Sequence, residues 1–279
     1  MTISLLDLLS ASNGTPMPRR TVVYGKHGIG KTTFACSCQD PVLLPFEDGY
    51  GTVHLLLKKS IPVLTFPDAN GKKARTIQSY DQAMEAIGFL ATSDHSFKNV
   101  VVDGAEAYES LCESKVAKDA GKATVAEIPF GKGFEQSTGL FKNLLNGLDY
   151  LSHEKQLGII IIAHADVVTF NNPEGENYDR YSVRLDKRNA PELLEWADEI
   201  LFCHEKTLVR KTDAGFGKTE AKGVGKPEPC VYTTGTAAFE AKNRLNMPDK
   251  IEMDWKIYEK YIMDANQFFL GEAIPNAGK

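Results

Sequence analysis

Five short apolar runs decide what this chain can become. They read RTVVYG, ending at Gly25, PVLLPF at 41–46, KNVVVDG at 98–104, LGIIIIAH at 157–164 and DEILFCHE at 198–205. Unbroken Val, Ile and Leu, rather than apolar residues alternating with polar ones, means strands buried on both faces, the situation of a parallel sheet covered by helices. Helix-like stretches fill the gaps. In SYDQAMEAIGFLA, 79–91, Ser79 can cap the first turn, and Met84, Ile87 and Leu90 recur at helical spacing. Strand alternating with helix predicts an α/β sandwich. Beyond 205, two short β-like runs at 207–210 and 230–233 flank a Gly- and Lys-rich middle, which predicts a long hairpin. MDWKIYEKYIMDANQFFL, 253–270, predicts a helix that docks its aromatic side.

The first run leads directly into a glycine-rich segment. Gly25, Gly30, Lys31 and Thr32 match G-x-x-x-x-G-K-[ST] between a buried strand and a helix, where that pattern cradles phosphate. The predicted cradle is Gly25, His27, Gly28, Ile29, Gly30, Lys31, Thr32 and Thr33, with the His27 side chain facing solvent. Glycines let backbone N–H groups turn inward, the following helix offers its positive end, and Lys31 adds a charge for the β and γ phosphates. Thr32 is a natural Mg2+ ligand, and Asp103, closing the NVVVDG strand, supplies the carboxylate for the same ion. Asp103 also suits a cap for the helix that follows, and both roles are compatible.

In many P-loop ATPases a catalytic Glu follows that Asp, but Gly104 stands here. Glu47 and Asp48, in FEDGYG, end the preceding strand at the sheet edge where ligands of open α/β sheets sit, so a carboxylate there can orient attacking water. His164 ends the IIIIAH strand, with two readings: a γ-phosphate sensor, or a hydrogen-bonded structural histidine.

Composition sets the outer limits. The longest strongly apolar stretch, LGIIIIA, is far below the roughly 20 residues of a membrane span, and the N-terminal patch, broken by Asp7 with no basic residue before it, predicts no secretory signal. Five scattered cysteines predict buried, reduced thiols in a cytoplasm, Cys36 and Cys38 included. A net charge of −5 confines any nucleic-acid contact to a local patch.

From Arg20 to about Trp255 the chain resembles phage-encoded RecA-like P-loop ATPases, a group that includes single-strand annealing and recombination proteins. The resemblance rests on the P-loop, FEDGYG, VVVDG, PFGKGF at 129–134, IIIIAHAD, LLEWADEILF at 193–202 and AFEAKNRLNMP at 238–248. It implies a sheet ordered 5-1-4-3-2, ATP and Mg2+ as ligands, and Glu47 as the catalytic glutamate. It implies two single-stranded DNA segments, one around Phe130, Lys132 and Phe134 and one within 166–190. The second carries Phe170, Tyr178, Arg180, Tyr181 and Arg184, aromatic and basic residues interleaved as a sequence-tolerant strand site requires.

Lys242 and Arg244, two apart in AKNR, look like fingers that reach a neighbour's γ-phosphate in a ring or filament; the plain alternative is a surface pair. The further implications are a homo-oligomer, a phage or host single-strand binding protein as partner, and the bacterial cytoplasm as location. His164 replaces the amide usual at the sensor, and no separate DNA-binding domain is apparent. The implied division is an N-terminal segment, 1–19, an ATPase core, 20–205, a hairpin and finger segment, 206–253, and a C-terminal helix and tail, 254–279. The 206–228 stretch carries six basic residues against three acidic ones, suited to nucleic acid or a neighbouring subunit, and its GFGKT mimics a P-loop but lacks the first Gly. Two other functions fit a P-loop chain: a small-molecule kinase, and a nucleotide-gated module with little hydrolysis.

Overall fold

The computed structural model describes residues 18–68, 70–205, 208–213, 219–224 and 228–269. Five parallel strands form its centre: β1 (Arg20–Gly25), β2 (Pro41–Pro45), β3 (Asn99–Asp103), β4 (Gly158–Phe170) and, after the short β5 (Tyr178–Val183), β6 (Glu199–His204). Their order across the sheet is β6-β1-β4-β3-β2, the arrangement implied by the resemblance. In β1, Val22 and Tyr24 enter one core while Val23 enters the other, and Ile159 and Ile161 of β4 part from Ile160 and Ile162 in the same way. Both faces are therefore buried, which is why the runs read as continuous Val and Ile. The two prolines of β2 sit on an edge strand, where a missing N–H is tolerated.

One face is covered by α3 (Tyr80–Thr92), α4 (Ala105–Asp119), α5 (Lys132–Lys155) and α6 (Asn189–Trp196); the other by α1 (Lys31–Cys36), α2 (Val53–Leu57) and α7 (Trp255–Phe269). Ser79 caps α3 as predicted, its Oγ accepting the Gln82 amide N–H. The buried stripe of α3 is Ala83, Ala86, Ile87 and Leu90, with Met84 half-buried beside it. On the opposite face, α7 buries Trp255 and Tyr258, and the Tyr258 hydroxyl lies 2.8 Å from Thr21 Oγ1. All five cysteines are free and buried.

One expectation changes. The 207–210 run does not pair with 230–233: β7 (Leu208–Asp213) pairs with β8 (Thr219–Val224) in a separate two-stranded sheet. β9 (Cys230–Tyr232) instead adds antiparallel to β6 and carries β10 (Lys250–Glu252) on its far side. Cys230 and Val231 are buried, so the run is held by the open edge of β6 and the core beneath it, whereas TEAKGV of β8 has no apolar pattern to announce a strand. The second predicted DNA segment is ordered as a hairpin, the distal half of β4 pairing with β5 from Ala165↔Val183 to Phe170↔Tyr178. The 1–17 part of the N-terminal segment and most of the GFGKT decoy fall outside the described residues.

Candidate active site

The phosphate cradle begins where β1 touches β6. A Cβ at Gly25 would stand 2.2 Å from the Cys203 carbonyl oxygen, so only glycine lets the two backbones approach. The loop then turns through left-handed conformations at Gly28 (φ 74°) and Gly30 (φ 103°). Phe34 N–H is bonded to the Gly30 carbonyl at 2.9 Å, and the amides of Lys31, Thr32 and Thr33 precede the first intrahelical bond. Lys31 is buried and its Nζ donates to the carbonyls of Gly25 (2.8 Å) and Lys26 (2.9 Å). Burial lowers its pKa, against the opposing pull of Cys203, Glu106, Asp103 and Glu47.

Thr32 Oγ1 donates to Asp103 Oδ2 at 3.0 Å. Asp103 is 5% exposed, and burial pushes its carboxyl up to about 6; the Thr32 bond pulls down, and the nearby Glu47 charge pushes up again. One buried carboxylate and one hydroxyl at the foot of a phosphate loop are the hard oxygen donors Mg2+ takes from a protein when phosphate and water complete its shell. Gly104 follows with φ 106°, and a Cβ there would stand 2.7 Å from Glu47 Cγ. The absence of a glutamate after Asp103 thus has a steric cause: the Glu47 side chain lies over that position.

Glu47 and His164 face each other, Nδ1 to Oε1 at 3.7 Å, and Glu106 Oε1 lies 3.5 Å from the same ring nitrogen. Glu106, in the first turn of α4, also accepts the His164 backbone N–H. Glu47, Glu106 and His164 bring ligand atoms within 4.8 Å of one another, a second group able to hold a cation. Sequence reading passed over Glu106; its one signal was its place three residues after Asp103, on the turn leaving the sheet's carboxyl edge. Asp48 points away and pairs with Arg75 at 2.8 Å. Lys31, Thr32, Glu47, Asp103 and His164 line one cavity of about 350 Å³.

A family model for AAA_24, an AAA domain, matches residues 17–245. The chain belongs to this family. No curated protein matches the sequence, whereas 166 chains of solved structures match the fold. One is the crystal structure of the RadB recombinase, 15% identical, with a TM-score of 0.43, covering 77% of this chain and 80% of that one. The matched AAA domain takes in the loop at 25–33, Glu47, Asp103 and His164. Among its described residues, no helix is long and apolar enough to cross a membrane.

The AAA_24 domain places the remaining predicted residues in three groups. Phe130 is 97% exposed with φ 60° on a one-turn helix, Pro129–Gly131, and Lys132 opens α5 beside it. Phe134 is half-buried, with the Arg188 guanidinium over its ring at 5.3 Å. On the β4–β5 hairpin, Phe170 and Tyr178 meet at 5.2 Å, and Arg180 lies over Phe170 at 4.5 Å while pairing with Glu240. Tyr181 packs on Phe202 and His204, and exposed Arg184 stands 4.0 Å from Glu106. Lys242 and Arg244 lie at the opposite end of β1 from the cradle, where Lys242 pairs with Ile200 of β6. The Lys242 ammonium donates to the carbonyls of Leu194, Glu195 and Ala197 at the end of α6, and Arg244 pairs with Asp198 at 2.9 Å.

Proposed function

We propose that this protein is an oligomeric, Mg2+- and ATP-dependent ATPase that acts on single-stranded DNA in phage-type recombination or annealing. The observation that carries the reading is the convergence of Lys31, the Thr32–Asp103 pair, Glu47 and His164 on one cavity. In that reading the loop amides and Lys31 bind the triphosphate, and Thr32 and Asp103 hold Mg2+, which neutralises charge on the phosphate oxygens. Glu47 orients the attacking water and takes its proton; Glu106, through the His164 backbone N–H, keeps the imidazole facing that carboxylate.

The DNA reading is supported by the bare Phe130 ring next to Lys132 and by the Phe170–Tyr178–Arg180 group near the hairpin tip, rings for stacking with cations for the backbone. In the same reading Arg244 reaches a neighbour in the assembly, and a phage or host single-strand binding protein is the accessory partner. Five free thiols, all buried, suit a bacterial cytoplasm.

ATP turnover measured with and without single-stranded DNA, over a range of protein concentrations, tests the reading. DNA should stimulate the rate, and Lys31→Ala should abolish nucleotide binding. Glu47→Gln should keep ATP binding and lose turnover by about 10²-fold or more. Turnover that ignores DNA would remove the DNA assignment, and a Glu47→Gln variant as fast as wild type would remove the Glu47 assignment.

A further inference from the structure

Two side-chain atoms beside the cradle, His164 Nδ1 and Glu106 Oε2, are buried and have no hydrogen-bond partner among the described residues. A buried imidazole nitrogen or carboxylate oxygen left unpaired gives up its hydration with nothing in return, so each calls for a partner. The two residues face each other from β4 and the first turn of α4, and Glu47, just beyond β2, joins them. Among the described residues these three form the only group of His, Cys, Asp or Glu able to surround an ion. The one Lys or Arg within 4.0 Å of either carboxylate, again among the described residues, is the exposed Arg184, at 4.0 Å from Glu106. Lys31 is turned instead to the carbonyls of Gly25 and Lys26. Two carboxylates and an imidazole thus share one spot with a surplus of lone pairs.

The spacing is that of a small transition ion. Zn2+ with bonds of about 2.0–2.2 Å in a tetrahedron keeps its ligand atoms about 3.3–3.6 Å apart. His164 Nδ1 already stands 3.5 Å from Glu106 Oε1 and 3.7 Å from Glu47 Oε1. The remaining edge, between the two carboxylates, is within 4.8 Å, and the partly exposed Glu47 side chain can swing to close it. The His164 backbone N–H anchors Glu106 through Oε1 and leaves Oε2 uncommitted, the kind of outer support that orients a metal ligand. One nitrogen and two oxygens suit Zn2+ and leave a fourth position for water, whereas Mg2+ takes oxygen donors such as the neighbouring Thr32–Asp103 pair.

We propose that Glu47, Glu106 and His164 form a Zn2+ site that switches hydrolysis off. The ion takes the Glu47 carboxylate and the His164 ring nitrogen, while Lys31, Thr32 and Asp103 stay free for Mg2+ and the nucleotide. The zinc site stands on its own geometry; the switch rests on Glu47 serving the hydrolysis proposed above.

Zn2+ titration of the full chain without nucleotide, in competition with a chromophoric chelator, tests the site. Wild type should bind one ion per chain, and Co2+ in its place should give the visible absorption of a tetrahedral ion. Glu106→Gln and His164→Gln should each weaken Zn2+ binding at least about tenfold, the lower end of what losing even an outer partner costs a metal site. Thr32→Val, which removes a Mg2+ donor, should leave it unchanged. No binding by wild type overturns the site, as does either Gln variant that melts as wild type and binds Zn2+ equally well. Turnover under excess Mg2+ and ATP then tests the switch. Saturating Zn2+ should slow wild type at least about tenfold, by loss of the Glu47 base, while ATP stays bound, and chelator should restore the rate. In Glu106→Gln the Zn2+ concentration for half-inhibition should rise by the same factor as its dissociation constant. Undiminished turnover with Zn2+ bound, or half-inhibition that ignores Glu106→Gln, overturns the switch. Absence of turnover in zinc-free wild type overturns the ATPase reading and the switch with it, and the titration alone then decides the site.

Discussion

Asp103 shows what a buried carboxylate costs its own fold. Its folded pKa of about 6 lies above the roughly 4 of a free Asp, so the native state favours the protonated acid. That contribution is complete below pH ~4 and is lost as pH rises through about 6, leaving a buried charge at neutral pH. Asp103→Asn keeps an acceptor for Thr32 and removes the charge. It should therefore raise thermal stability near pH 8 by the equivalent of ~1–3 kcal/mol, with the gain fading toward pH 4. A melting series over pH checks this; in the same series Mg2+ with ATP should stabilise wild type and leave the Asp103→Asn variant unmoved. This residue, with Gly30, Lys31 and Thr32, was legible in the sequence because a phosphate loop is a local pattern and a strand-ending Asp is a positional one. The embrace of Gly104 by Glu47, and of His164 by Glu106, was not: each joins segments far apart in the chain, and nothing local records the contact.

At the scale of elements, the weak member is α1, six residues long with no side-chain cap, too short to hold its own geometry. It is held from outside. Phe34 meets Trp255 edge-on at 5.2 Å, and Trp255 meets Tyr258 at 5.0 Å, so α7 clamps the helix that carries Lys31 and Thr32. Trp255→Ala should cost ~3–5 kcal/mol of stability and weaken ATP binding in the protein that still folds, an effect read by denaturant titration alongside nucleotide titration. The five parallel strands and the aromatic docking of α7 were legible from apolar runs and ring spacing. The β6–β9–β10 edge was not, because three-residue strands owe their existence to the strand they lie against, and a sequence window holds only one side of that pairing.

For the whole molecule, the net charge of −5 means that the DNA contact of the proposed function would depend on local groups, and two neighbouring cations can be separated by how they respond to concentration. Arg244 is half-exposed and pairs with Asp198 at a surface away from the cradle. Arg244→Ala should lower ATP turnover at concentrations where the protein assembles and leave the dilute monomer unchanged; an equal loss in both would contradict action across an interface. Lys242 is committed to three carbonyls of its own chain, so Lys242→Met should cost ~1–2 kcal/mol of stability at every concentration. Strand β4 gives the molecule one further property. Its backbone runs without a break from Ile162, in the cavity wall, through His164 to Phe170. The residues beyond His164 form an arm about 20 Å long at the strand rise of ~3.3 Å per residue. A tilt of about 5° at its root carries its far end by about 2 Å over that same length, so a small adjustment in the wall of the cavity is magnified at Phe170 without any intervening joint.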